Sequence, residues 1–421
     1  MRPRTGDNGA VMSVHRRAGS RAPLNGLTLA LLALLLLPGL VLSADWTSLS
    51  RVSAAGGSRL DSMHQLAADN GTWHLVHPRI GPNTTDDRVV YQSSSNGGVS
   101  WSKERTLFSA TLSRRHVVPN LALAAEGDTV VVAWRVDGPT ENTLFVRVSR
   151  DGGQSFGTKD EIFSTSKAHG VGVPAVAVGD DVVAVAWTNR ANGKIKLRTS
   201  RDGGRTFKPA KTLGRTSLSI DCKKRLTDGL VGLAINDRSV HVAWSHAPTR
   251  QCLAKAIKVR TSLDRGNTWS PRRTITSRRS FGWPELDARG KTVVATVQSP
   301  TGGLIVARSG KNGRRWSDRL IKPPKGRSLS AADVSLLPSK RARITYVDER
   351  VKNRRLISTK VVSRRSLDDG RTWKAPETVA PRAQLLRMAP NVAATGKKTA
   401  IVLQSGQLDG SPRNIFVTRP R

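Results

Sequence analysis

The sequence predicts an all-β fold, a seven-bladed β-propeller of four-stranded antiparallel blades. Three observations predict it: an octapeptide that recurs along the chain, short apolar runs before each copy, and an N-terminal segment that completes the last repeat. The aromatic closing each octapeptide stands at positions 101, 156, 207, 269, 316 and 373, so the period runs from 47 to 62 residues. Four short strands and their turns fill such a period.

The copies run Ser94–Trp101, Ser149–Phe156, Ser200–Phe207, Ser262–Trp269 and Ser366–Trp373. Their third residues are Asn96, Asp151, Asp202, Asp264 and Asp368; the worn copy Ser309–Trp316 has Lys311 there. A short Asp or Asn side chain folds back onto nearby backbone N–H groups, and Gly supplies the positive φ of a tight turn. These five residues are therefore expected to be structural, and the aromatic has a fixed direction in which to pack. Before each turn come a first strand such as Asn120–Ala124, a second ending in Trp134, Trp187 or Trp244, and a third such as Leu144–Val148. A fourth, such as Arg105–Phe108, follows it. At the ends, Asn391–Ala394, Thr399–Leu403 and Asn414–Thr418 supply three strands, and the segment after Trp46, itself 55 residues before Trp101, supplies the fourth. Ring closure through both termini hides the sheet edges.

The octapeptide resembles the Asp-box, or bacterial neuraminidase repeat, Ser-x-Asp-x-Gly-x-Thr-Trp, and the chain is similar to the sialidase-like superfamily over nearly all of residues 45–421. The resemblance offers a six-bladed sialidase-type propeller as the alternative fold. It also implies a glycoside hydrolase (exo-alpha-sialidase) as the alternative function, in which a tyrosine nucleophile works with a glutamate. Tyr346, in Ile344–Glu349, is then the catalytic candidate, with Glu349 or Glu285 as its partner and Asp61, Asp86 or Asp137 as acid. The family's Phe-Arg-Ile-Pro segment has no good counterpart, since Arg79-Ile80 stands between Pro78 and Gly81. Fold alone does not fix function.

Residues 27–44 are uncharged, hold ten leucines and follow Arg16, Arg17 and Arg21. Residues 1–44 read as a signal peptide cut after Ser43 or Ala44, or as an N-terminal membrane anchor, so the chain is expected outside the cell or tethered to the outer face of the membrane. Residues 45–421 form a single propeller domain. The leader's five Arg and one Asp leave +34 of the chain's +38 on that domain. Such charge attracts polyanions, and the expected partner is an anionic glycan, a wall polymer or a protein, with no specific nucleic acid, no cofactor and no metal. The domain is expected to be a monomer.

In a four-stranded blade the loops joining strands two and three share a face with the connections between blades, opposite the octapeptide turns. On that face fall the candidate ligand-binding residues Arg79, Arg115, Arg135, Arg190, Arg250, Arg279, Arg350 and Arg354. Cys222 and Cys252 fall there too, and export favours a disulfide between them, contributing about 3 kcal/mol.

Overall fold

The computed structural model describes residues 46, 47, 49–52, 64–79, 87–110, 116, 117, 121–166, 170–217, 230–249, 253–352, 355–380, 390–395, 398–405 and 414–420. The leader expected over 1–44, Arg115, Arg250, Arg354, Cys222, Cys252, Asp61 and Asp86 lie outside them.

After the short strand β1 (Ser50–Arg51), blade 1 is β2 (Gln65–Asp69), β3 (Thr72–Arg79), β4 (Asp87–Ser94) and β5 (Arg105–Ala110). Blade 2 is β6 (His116–Val117), β7 (Ala122–Glu126), β8 (Thr129–Asp137), β9 (Glu141–Ser149) and β10 (Asp160–Ser166), with β6 and β7 both paired to β8. Blade 3 is β11 (Ala175–Gly179), β12 (Val182–Asn189), β13 (Lys194–Ser200) and β14 (Lys211–Arg215). Blade 4 is β15 (Val231–Asn236), β16 (Ser239–His246), β17 (Ala256–Ser262) and β18 (Arg273–Thr276). Blade 5 is β19 (Phe281–Arg289), β20 (Thr292–Gln298), β21 (Leu304–Ser309) and β22 (Ser317–Ile321). Blade 6 is β23 (Arg327–Leu336), β24 (Ala342–Lys352), β25 (Arg355–Ser366) and β26 (Glu377–Ala380). Blade 7 joins β27 (Asn391–Thr395), β28 (Lys398–Ser405) and β29 (Asn414–Thr418) to β1.

Every pairing is antiparallel within its blade, and the inner strands β2, β7, β11, β15, β19, β23 and β27 stand side by side with β27 next to β2. The ring is a seven-bladed propeller. Its closure is the expected one: Ser50 pairs with Val417, Arg51 with Phe416, and Trp46 bridges Pro420.

Because each blade is covered on both sides, second strands are buried along both faces; β12 is buried from Val182 to Thr188. Trp134, Trp187 and Trp244 are fully buried, each in a core shared with the preceding blade. The closing aromatics repeat that relation: Trp101 packs on the blade 7 core, Phe156 on blade 1, Phe207 on blade 2 and Trp269 on blade 3. Trp46 takes the same place for blade 7, packed on Val361 and Val379 of blade 6.

In the octapeptide turns, Ser149 Oγ donates to Asp151 Oδ1 (2.6 Å) and accepts from Gly153 N (2.8 Å), while Ser155 N donates to Asp151 Oδ1 (2.8 Å). The hydroxyls of Ser149 and Ser155, then the Ser155 amide, hold the Asp151 carboxyl down at about 2. Gly153 has φ +86°, and a Cβ there would lie 1.9 Å from the Tyr91 hydroxyl of the preceding blade. Tyr91 is accordingly a packing residue, its hydroxyl 2.7 Å from His74 Nδ1. In the turns of blades 2 to 6 the fourth residue donates its N–H to the hairpin joining strands one and two of its own blade, as Gly152 to Asp128 O and Gly203 to Asp181 O, both 2.9 Å. This places turns and inner hairpins on one face, the octapeptide face.

Basic side chains stitch that face from blade to blade. Arg419 Nη1 donates to Gly97 O (2.9 Å), Arg150 Nε to Gly203 O (2.9 Å), Arg201 Nε to Arg265 O (3.2 Å) and Arg308 Nε to Asp369 O (2.7 Å). Each reaches the carbonyl at the fourth position of the next blade's turn. Arg105, Lys211 and Arg273 make related bonds to Gly153 O, Asn267 O and Arg314 O.

Candidate functional site

The inner strands enclose an axial channel of about 1190 Å³. Its wall is aliphatic along the middle, with Ala67, Leu123, Val176 and Leu233, and polar at both ends. At the octapeptide face stand Asp69, Glu126 and Asp237. At the opposite, open face stand Gln65, Trp283, Glu285, Gln298, Ser330, Glu349 and Asn391.

Two bulges shape the open mouth. The inner strands of blades 1, 3, 4 and 7 pair without a break, whereas β19 shifts register between Phe281 and Glu285 and β23 between Ser330 and Asp333. Pro284 has no N–H for the ladder, which accounts for the first. That bulge leans on β15 at Gly232, where a Cβ would lie 1.9 Å from Pro284 O, so glycine is required. In the second, Ala331 adopts φ +50°, a strained conformation for a residue with a Cβ. Bulges of this kind re-aim side chains and cluster at binding sites.

The carboxylates there have separate duties. Asp287 accepts Ala288 N (2.7 Å) and Leu336 N (2.6 Å), and Asp333 accepts Val334 N and Val392 N (both 2.8 Å). Each ties its blade to the next. Glu349 Oε1 accepts Ser330 Oγ (2.6 Å). Glu285 is open to the channel; the mass of protein around it, then the Asp333 carboxylate, pushes its carboxyl above the ordinary range. Trp283 is half-buried, and its Nε1 has no partner among the described residues.

Of the residues the sequence singles out, the channel brings together Glu285 and Glu349. Tyr346 is 2% exposed, packed with Val294, Leu304 and Val306 of blade 5 in the slot that tryptophan fills elsewhere, and its hydroxyl accepts Arg364 Nε (3.0 Å). Burial first, against the Arg364 hydrogen bond, pushes its hydroxyl pKa up. It does not line the channel. Arg79 is held by Glu104 (2.5 Å), and Arg135 by Asp137 (2.5 Å) and Val171 O (2.5 Å). Arg190 packs on Gly170. Arg279 and Arg350 are exposed. Sequence reading missed Trp283 as part of a bulge, although Pro284 inside a strand signals one; Ser330 and Ala331 carry no such signal.

No family model matches the chain, and no curated protein matches it. Among solved structures it is similar to the phage phi92 endosialidase, at 9% identity over 90% of this chain and 69% of that one, with a TM-score of 0.51. It is also similar to a polysaccharide lyase, the PL25 ulvan lyase bound to GlcA(1-4)Rha3S, at 11% identity over 88% and 95% of the two chains, with a TM-score of 0.53. These likenesses establish the propeller fold.

Proposed function

We propose that the chain is an exported Asp-box propeller of the sialidase-like superfamily that binds an anionic glycan or wall polymer at the open-face mouth of its channel. The observation that carries this is the pair of bulges in β19 and β23, which brings a half-buried tryptophan, Glu285, Ser330 and Glu349 into one concave site. An aromatic face with hydroxyl-binding polar groups suits a sugar ring. The similar structures are an endosialidase and a lyase holding a uronate and a sulfated sugar, which supports an anionic ligand. Export rests on the leader at 27–44, and the Cys222–Cys252 disulfide would pin the rim of blade 4.

A glycan array with the full chain tests the reading. Acidic glycans bind, binding weakens as salt rises from 0.15 M, where charges are screened within about 8 Å, and Trp283→Ala abolishes it. Salt-insensitive binding to neutral glycans overturns it.

One observation favours hydrolysis as a second reading: Glu285, its carboxyl pushed up, shares the channel with Glu349, as an acid and a base would. The tyrosine-nucleophile form lacks support, because Tyr346 is buried and Arg79 and Arg135 already hold carboxylates of the protein itself. Release of reducing ends that Glu285→Gln abolishes would place hydrolysis first.

A further inference from the structure

The hairpin of β24 and β25 is built differently from its counterparts. Its strands have 11 and 12 residues, against five to nine for the second and third strands of the other blades. It therefore projects from the open face, and β23 begins early enough to pair with it, Arg327 opposite Arg350. Val351 N donates to Gly326 O (3.2 Å), which folds the turn before β23 against the hairpin. Between them lies a concavity of about 380 Å³ lined by Lys325, Gly326, Arg327, Arg350, Val351 and Lys352.

Four of those six residues are cations. Asp348, 5% exposed, orients Arg327 by accepting its Nε at Oδ1, while its backbone oxygen accepts Nη2 (3.3 Å); Lys360 Nζ lies 3.5 Å from the same carboxylate. That single acid is thus shared by two cations. Glu349 is turned to Ser330 and the channel. Lys325, Arg350 and Lys352 have no carboxylate partner among the described residues. Like charges gathered in a concave wall repel one another and focus positive potential into the space between them. The tips of blades 2 and 5 differ from it: Gln298–Leu304 in blade 5 has no charge, and the blade 2 tip carries Asp137 and Glu141; the blade 3 tip carries Arg190 and Lys194 but has no early inner strand paired to it as β23 is paired to β24.

We infer that this concavity seats one compact oxyanion, a sulfate, phosphate or carboxylate, carried by the glycan whose sugar occupies the channel mouth; the inference rests on that reading of the mouth. The guanidinium of Arg327, held in place by Asp348, presents its remaining N–H donors to the anion, and Arg350 and Lys352 supply charge. Arg350 and Lys352 follow Glu349 by one and three residues, which at about 3.3 Å per residue puts the seat within about 10 Å of the mouth. One oligosaccharide spans both.

The test uses the full chain at constant ionic strength, comparing inorganic sulfate, inorganic phosphate and chloride by thermal shift and calorimetry. Sulfate or phosphate raises Tm saturably above chloride, and Arg350→Gln combined with Lys352→Gln removes that response. The same double variant binds a sulfated or uronate oligosaccharide at least tenfold more weakly and leaves the uncharged counterpart unchanged. Equal effects of sulfate, phosphate and chloride, or an unaltered double variant, overturn the seat. If the anion response is present but Trp283→Ala leaves oligosaccharide binding intact, the mouth reading fails and the seat survives as a site for a free anion. Tighter binding of a nucleic acid of equal charge assigns the seat to another polymer and overturns the glycan source.

Discussion

The two faces of the ring use the same side chains for opposite ends. On the octapeptide face, arginines at or next to the turns donate to carbonyls of the following blade, so their charge is engaged in holding neighbours together. On the open face, Arg279, Arg350 and Lys352 are exposed, Asp348 is committed to Arg327 and Lys360, Asp287 and Asp333 to the backbone and Glu349 to Ser330, while Glu285 is open to the channel. A charge of +38 therefore overstates what is offered to a ligand. Where a cation lacks a partner is more informative than how many cations there are.

The strongest test of this contrast breaks both faces at once. Deleting residues 45–54 removes Trp46 and β1, and the single cooperative melt is expected to disappear; Trp46→Ala alone is expected to cost about 3–5 kcal/mol in a denaturant titration. An unchanged cooperative melt would show that the blades hold without closure.

Acid comes next and separates the interior from the faces. His64, His74, His77 and His241 are buried, and burial holds each near 4, below the ordinary 6.5. The unfolded chain takes up these protons first, so stability falls as pH drops from 6.5 toward 4, by up to about 3 kcal/mol per histidine. The turn carboxylates Asp151, Asp264 and Asp368, held near 2, add their loss only below their unfolded value of 3.8. Unfolding midpoints that stay flat from pH 7 to 4 would refute the neutral histidine core.

Asp202→Ala, which strips acceptors from Ser200, Arg205 and Thr206, is expected to cost about 1–2 kcal/mol in the same titration. The smallest effect sharpens the comparison most. Arg150→Met should cost about 1 kcal/mol, and Arg350→Gln should leave stability unchanged while weakening acidic-glycan binding. Equal stability losses in the two variants would erase the distinction between the faces.

The blade count was legible because Ser, Asp and Gly at fixed offsets have one conformational use, and because Trp46 falls one period before Trp101. The tryptophans of the second strands marked the cores for the same reason. Tyr346 was not legible as their equivalent: Asp348, Glu349, Arg350 and Lys352 look like loop residues, yet β24 runs through all of them, so the tyrosine sits mid-strand. Charge on an outward-projecting hairpin does not break a strand that is paired on both sides. The arginine clamps were equally opaque, since an arginine in a turn reads as solvated until its carbonyl partner, in the next blade 53 to 64 residues on or, for Arg419, 322 residues back, is brought beside it.

The pairing of Ser50 with Val417 joins the first of the described strands to the last, so β1 cannot take its place before β29 has been made. Until β29 has been synthesised, β1 has no edge to join. The entropy of closing so long a loop grows only with its logarithm, so the wait is kinetic more than energetic. A two-residue strand of Ser and Arg is a poor template for a foreign edge, which protects the chain during that interval. A circular permutant that links residue 420 to residue 46, neighbours already bridged in the fold, and opens the chain between two other blades would make blade 7 continuous and move that wait elsewhere without altering a single contact in the ring.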